Sequence, residues 1–175
     1  MFRPFRRTPQ HDAIKPVLDS LDYDFTRFNV EHFVEHIESL RRKPIQMVAM
    51  PLTATLFGMW VPTPSQDYLI YNATLQRVHQ IHTILHEIAH MVLNHSLRPL
   101  SDILLPEQLE ALSVGRLRFA PTEDYSSDPE EQEAEAFVFA IQRQVVTAER
   151  LYELTGESSS IPELRAAADA SGYTS

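Results

Sequence analysis

The pentapeptide HEIAH occupies positions 86–90, inside an apolar stretch that covers residues 81–93. On an α-helix, residues four positions apart lie on the same face, so His86 and His90 would present their ring nitrogens together. Glu87 is rotated by about 100° from His86, which leaves its carboxylate beside the two rings. Two imidazoles and a carboxylate in this spacing are typical of a zinc peptidase site.

Each residue type in the pentapeptide has a role in that chemistry. Neutral imidazoles bind Zn²⁺, which lowers the pKa of a bound water to about 7, and Glu87 can take the proton as the water attacks a carbonyl. The flanking residues are apolar on most of the helix surface, so we expect a buried helix. A buried polar group without a partner costs about 1–3 kcal/mol. The alternative explanation for these side chains is hydrogen bonding within the core.

Two further histidines lie on the same helical stripe. His79 and His82 precede His86 by seven and four residues, so His82 and His86 form a second pair with the spacing of metal ligands. The residue after His82 is Thr83, which cannot act as a general base. We therefore interpret His82 and His79 as a polar wall of the cleft or as partners that orient a ligand. His95 follows the apolar stretch and is interpreted as a surface residue beside a helix C-cap at Asn94.

A catalytic zinc site normally has three protein ligands, and the chain contains no cysteine. The candidate source is the acidic segment at 122–135, TEDYSSDPEEQEAE. Glu131 and Glu135 share a helix face, so one can bind the metal while the other orients a histidine. We favour Glu131 as the ligand, with a neighbouring carboxylate as the alternative. Glu133 points about 200° away from Glu131 and cannot share its role.

A structural explanation covers most of the carboxylates in the acidic segment. Ser127 or Asp128 can cap a helix in which Pro129 takes the first position. Acidic side chains also suit the positive end of the helix dipole. We assign most of these carboxylates to that role and to solvent.

The order of "LHEIAHMVL" and "EEQEAEAFVFA" resembles the ImmA/IrrE family of metallopeptidase domains, over about residues 28–143. There HExxH is followed by a helix that opens with Glu, two variable residues, Ala, and then Asn, Asp or Glu. This sequence lacks the Leu-Leu-Met-Pro run that often ends the family's second helix. It also has a longer gap between the second histidine and the acidic ligand.

The resemblance implies one Zn²⁺ ion bound by His86, His90 and Glu131, a glutamate third ligand as in gluzincins. It implies Glu87 as the base and peptide hydrolysis as the reaction. The expected substrate is a helix-turn-helix transcriptional repressor whose cleavage switches on stress or mobile-element genes. An extended substrate would lie along an edge strand, for which we favour residues 57–61, with Trp60 either as a subsite wall or in the core. Tyr125, His82 or a loop residue would stabilise the developing oxyanion.

Composition is that of one ordinary globular domain: 175 residues, 43% hydrophobic and 22% charged. We assign the domain to residues 10–156, a basic arm to 1–9 and a mobile or weakly helical tail to 157–175. The absence of cysteine, of a secretory signal and of a membrane span favours the cytoplasm.

The net charge of −9 argues against direct binding of nucleic acid and favours a partner with a basic surface, as DNA-binding repressors have. The short basic cluster at 41–43 is interpreted as solvated surface. The oligomeric state is left open.

The expected fold is α+β and zincin-like, mostly helical, with a small three-stranded, mainly antiparallel sheet packed on the HExxH helix. Helices are expected at 12–21, with Pro16 in the first turn, at 106–114, and at 30–42, where Asn29 is the N-cap and Val30, Phe33, Ile37 and Leu40 form the apolar stripe. Strands are expected at 45–50, 57–61 and 67–72, with Gly58 allowing a bulge or a close backbone approach and Asn72 capping the metal helix.

The leading hypothesis is a zinc endopeptidase. A metal-stabilised binding module that captures a repressor or toxin partner without cutting it is the alternative. A structural domain with a coincidental motif would hold no stoichiometric metal.

Overall fold

The computed structural model describes residues 9–52, 56–99, 116–121 and 128–155. Its four α-helices are α1 (Pro9–Ser20), α2 (Val30–Arg41), α3 (Arg77–Val92) and α4 (Pro129–Thr155), with a short 3₁₀ turn at Phe25–Arg27. Its strands are β1 (Ile45–Met50), β2 (Leu56–Pro62), β3 (Asp67–Asn72), β4 (Arg98–Pro99) and β5 (Arg116–Pro121). The expected mixed α+β class is confirmed.

The sheet has the order β1-β3-β2-β5-β4 in the described part of the chain. β1 pairs with β3 in parallel, and the other three pairings are antiparallel. The three expected strands are present and the mainly antiparallel character is confirmed. The sheet also contains β4 and β5, for which the sequence analysis predicted no strand. The sequence of β5, RLRFAP, alternates polar and apolar residues, which is a short strand signal.

β2 is an interior strand, paired with β3 on one side and β5 on the other. It therefore has no free edge for an extended substrate, and the preference for residues 57–61 in that role is wrong. Trp60 on this strand is buried in the core with its ring 5.8 Å from the guanidinium carbon of Arg41.

Helix α2 begins as its sequence predicts, with the Asn29 side chain accepting a hydrogen bond from the backbone N–H of His32 at 2.9 Å. Its end is set by Arg42, whose φ of 54° is left-handed. The expected apolar stripe is right for three positions and wrong for Leu40, which is 50% exposed. Val34 is buried in its place, so the buried face lies toward the start of the helix.

Two other local expectations are corrected. Helix α1 begins at Pro9, so Pro16 lies inside the helix rather than in its first turn. Helix α3 begins at Arg77 after Gln76, with no side-chain cap. Asn72 lies too far upstream to cap it and instead accepts a hydrogen bond from the Thr74 N–H at 3.0 Å, closing the turn after β3.

Helix α3 is the buried helix that the apolar stretch predicts. It contacts α2, α4 and strands β2, β3 and β5, and ten of its residues are buried, from Ile81 to Met91. Its approach to β2 depends on Gly58, since a Cβ there would lie 2.3 Å from Thr83 Cγ2 and 2.9 Å from the Ile70 carbonyl oxygen. The register of β2 against β5 also shifts between Leu56 and Gly58, so both expectations for Gly58 are confirmed.

The basic cluster at 41–43 is only partly surface. Arg41 and Lys43 donate to the two carboxylate oxygens of Asp67, which is fully buried, at 2.9 and 2.7 Å. Arg41 also donates to the carbonyl oxygen of Met91 at 3.2 Å, near the end of α3. The cluster thus ties α2, the start of β3 and the helix that carries the histidines together.

Among the helices that the structure describes, none combines the length and apolarity needed to cross a membrane. Residues 1–8, the helix expected at 106–114, Tyr125, Ser127 and the tail at 157–175 lie outside the described residues.

Candidate metal centre

Three predicted ligands from two distant helices meet in the interior. Nε2 of His86 lies 3.0 Å from Nε2 of His90 and 3.1 Å from Oε2 of Glu131, and Nε2 of His90 lies 3.7 Å from the same oxygen. All three residues are buried. They form a group with the donor atoms and spacing to hold a metal ion, which we call the inner group.

The separations within the inner group can be compared with those of a tetrahedral zinc site. Two ligands about 2.0–2.1 Å from Zn²⁺ at a tetrahedral angle are about 3.3 Å apart. The three separations in the inner group, 3.0, 3.1 and 3.7 Å, bracket that value. Two imidazole nitrogens and one carboxylate oxygen are also donors that Zn²⁺ accepts. The residues therefore fit a zinc ion in both geometry and chemistry.

The start of α4 places Glu131. The Asp128 carboxylate accepts from the N–H of Glu130 at 3.0 Å, and the helix begins at Pro129, as the sequence predicts. Glu131 lies on the stripe that continues through Ala134 and Val138, both fully buried. Because residues at spacings of three and four share a helix face, the packing that buries this stripe also directs Glu131 inward.

Glu135 occupies the position expected for a residue that orients His86. Its Oε1 lies 3.1 Å from His86 Nδ1 and 3.3 Å from His82 Nε2. An ionised carboxylate only accepts hydrogen bonds, so a neutral His86 ring that donates from Nδ1 to Glu135 carries its lone pair on Nε2. The lone pair therefore points into the inner group.

His95 has a similar relation to His90, which the sequence interpretation missed. His95 is buried, not a surface residue. Its Nδ1 lies 2.7 Å from His90 Nδ1, and its Nε2 lies 3.3 Å from Oε2 of Glu133. Since Glu133 accepts from Nε2, Nδ1 of a neutral His95 accepts from His90, and Nε2 of His90 keeps its lone pair. Glu133 thus acts through His95, away from Glu131 as its helical position predicts.

The reversal of the chain at Asn94 brings His95 inward. Asn94 adopts a left-handed φ of 57°, and the His95 N–H donates to the His90 carbonyl oxygen at 3.0 Å. An Asn just after a helix is a known signal for this reversal, so the sequence predicts the turn. The sequence does not predict that the His95 side chain is buried, because its contact with Glu133 depends on where α4 packs.

The electrostatics of the inner group favour a positive charge. Burial opposes charging of His86, but hydrogen bonds to Glu131 and Glu135 outweigh burial and raise the pKa of His86 to about 10. Burial also opposes ionisation of the two glutamates. Their hydrogen bonds to the histidines outweigh it, which holds the pKa of Glu131 well below its usual range and lowers the pKa of Glu135 to about 2. Two lone pairs and a carboxylate that face one another need a proton or a metal ion between them.

The remaining residues considered for the site are Glu87, the candidate base, and the two histidines His79 and His82 that precede His86 on α3. Glu87 is buried and lies on the side of α3 that faces β2, where a Cβ on Gly58 would be 3.8 Å from Glu87 Cγ. The side chain of His82 is 35% exposed, and His79 is exposed. His82 contacts Glu135, which also contacts His86, and its place in a cleft stays a prediction.

No protein-family model matches this sequence, and no curated protein matches it significantly. The resemblance to ImmA/IrrE domains rests on the motif residues themselves.

Proposed function

We propose that this protein is a zinc-dependent endopeptidase with a zincin-like arrangement, in which His86, His90 and Glu131 hold the metal and Glu87 is the base. One observation carries the proposal. Donor atoms separated by 45 positions in the chain converge to 3.1 Å, and hydrogen bonds from behind both histidines turn their lone pairs toward the same point. This convergence of two imidazoles and a carboxylate in the interior supports a bound cation at that point.

The number of ligands supports a catalytic rather than a structural metal. Structural zinc sites have four protein ligands, whereas catalytic sites have three and an open position. The inner group contains three residues among those that the structure describes. His95 and Glu135 are close, but they contact the Nδ1 atoms and not the Nε2 atoms. This distinction favours an enzyme over a metal-stabilised binding module.

The roles of the side chains follow from this arrangement. A zinc ion, when bound, acidifies water and polarises a carbonyl group. Glu87, next in sequence to His86, takes a proton from the attacking water and returns it to the leaving amine. Glu135 and His95 keep the imidazoles in the tautomers that bind metal.

The proposed substrate class is a helix-turn-helix repressor. The support is the motif resemblance, together with the net charge of −9, which complements the basic surface of a DNA-binding protein. Cleavage of such a repressor would place the protein in transcription regulation, in a stress response.

The test uses a purified helix-turn-helix repressor from the same genome, incubated with the zinc-loaded protein and examined by mass spectrometry for new termini. Glu87→Gln should keep the zinc and lose cleavage by about 10²–10⁴-fold. Glu35→Gln, on the exposed face of α2, is the matched control and should cleave normally. Cleavage by Glu87→Gln at the wild-type rate would reject Glu87 as the base. A repressor that binds but stays intact rejects the peptidase in favour of a binding module.

A further inference from the structure

A second group of possible metal ligands lies on the solvent side of the inner group. It consists of His82, His86 and Glu135, whose candidate ligand atoms all lie within 4.8 Å of one another. Both histidines approach the same atom, Oε1 of Glu135, at 3.3 Å from His82 Nε2 and 3.1 Å from His86 Nδ1. We call these three residues the outer group.

His86 belongs to both groups, through opposite nitrogens of one ring. The inner group uses Nε2, whereas the outer group uses Nδ1. A neutral imidazole carries one proton and one lone pair, so it can bind a metal through either nitrogen but not through both. Metal binding by one nitrogen of His86 therefore excludes metal binding by the other, so the inner and outer groups compete for this ring.

The other neutral tautomer of His86 exchanges the roles of its two nitrogens. If the proton moves to Nε2, that nitrogen can donate to Oε2 of Glu131 at the observed 3.1 Å. Nδ1 then offers its lone pair toward Glu135 and His82. Each neutral tautomer donates to one of the two glutamates and leaves the lone pair of the other nitrogen facing the second glutamate, where a bound metal ion would accept it.

We propose that the outer group is a second, alternative position for a divalent transition-metal ion, which exchanges with the inner group through the two tautomers of His86. Two imidazoles and one carboxylate suit Zn²⁺, Co²⁺ or Ni²⁺ rather than Mg²⁺ or Ca²⁺. The outer position is the weaker one, because the side chains of His82 and Glu135 are 35% and 40% exposed and the ligands of the inner group are buried. The proposal concerns metal binding and does not require peptidase activity.

The test is a titration of the metal-free protein with Co²⁺, followed by its visible absorption. Glu131→Gln keeps the shape of the side chain and removes the charged ligand of the inner group. This variant should still bind one Co²⁺ ion per chain, more weakly than the wild type. Adding His82→Ala should then weaken binding further, by about tenfold or more, as expected for residues that act on one site.

His82→Ala in the wild-type background shows whether this substitution weakens Co²⁺ binding only when the inner group is disabled. There the ion occupies the inner group, and His82→Ala should change the affinity by less than about threefold. His79→Ala, an exposed histidine on the same helix, is the matched control and should have no effect in either background. Far-UV circular dichroism checks that each variant is folded, and His90→Gln replaces Glu131→Gln if that variant is not.

The two possible results are distinct. A larger loss on His82→Ala in the Glu131→Gln background than in the wild type supports the outer position. Equal losses in both backgrounds, or a folded Glu131→Gln variant that binds no Co²⁺, overturn it. Failure here leaves the peptidase proposal intact, since repressor cleavage depends on the inner group.

Discussion

Nδ1 of His90 lies 2.7 Å from Nδ1 of His95, so a buried histidine orients a candidate metal ligand. His95 in turn contacts Glu133 at 3.3 Å. The more common partner of a ligating histidine is a carboxylate or a backbone carbonyl. In this protein the carboxylate of Glu133 contacts His95, and His95 lies between it and His90.

His95→Ala should weaken zinc binding by about 10–100-fold, because it removes the acceptor that keeps the proton of His90 on Nδ1. His95→Gln should recover part of the affinity, since its carbonyl oxygen can accept from the same N–H. Competition with a chelator of known affinity measures the dissociation constant. If His95→Ala binds zinc as tightly as the wild type, the ring plays no part in the site.

The metal-free protein should lose stability as the pH rises from about 6.5 to about 10. The pKa of His86 is raised to about 10 by its contacts with Glu131 and Glu135, against the opposing effect of burial. A raised pKa stabilises the folded state below the unfolded pKa, near 6.5, and this contribution disappears as the pH rises through the folded value.

Urea unfolding at pH 6.5, 8 and 10 measures that loss for the metal-free wild type. His86→Asn is the reference, because it removes the titrating ring while other groups still titrate. The free energy of unfolding should fall more steeply with pH for the wild type than for His86→Asn. Parallel pH profiles would show that His86 is not charged by its two glutamates.

Gly58→Ala should destabilise the fold by about 1–3 kcal/mol, the usual cost of overpacking. Its Cβ would lie 2.3 Å from Thr83 Cγ2 and 2.9 Å from the Ile70 carbonyl oxygen. Thr83→Ser removes the Cγ2 methyl and should restore part of the stability, while the contact with the backbone oxygen remains. Thermal unfolding of the single and double variants checks this. An unchanged melting temperature would mean that β2 does not pack tightly on α3.

The sequence predicted the arrangement of His86 and His90 because their spacing is local information. The spacing of His86 and His90 fixes their common face on any helix, and the apolar stretch around them requires burial. For the third position, the common helix face of Glu131 and Glu135 made both candidates, and the ImmA/IrrE motif matches Glu131.

The missed features depend on contacts between segments far apart in the chain. His95 is buried and contacts Glu133 on α4, and no local pattern in the sequence predicts that contact. β2 is an interior strand because β5, from about 60 residues later, pairs with it. Leu40 fits the apolar period of α2 but lies beyond the part of that helix that packs on the core. For β2 and Leu40 the local pattern predicted the strand or helix correctly. It gave no information about which other segments pack against it.

The most direct test of the central claim is the zinc content of the purified protein after dialysis against a chelator of moderate affinity, compared with His90→Ala and Glu131→Ala. If the inner group holds the metal, the wild type should retain one zinc ion per chain and both variants should lose it under the same conditions. A wild type without zinc, or variants that retain it as firmly as the wild type, would contradict the assignment of His86, His90 and Glu131 as a metal site.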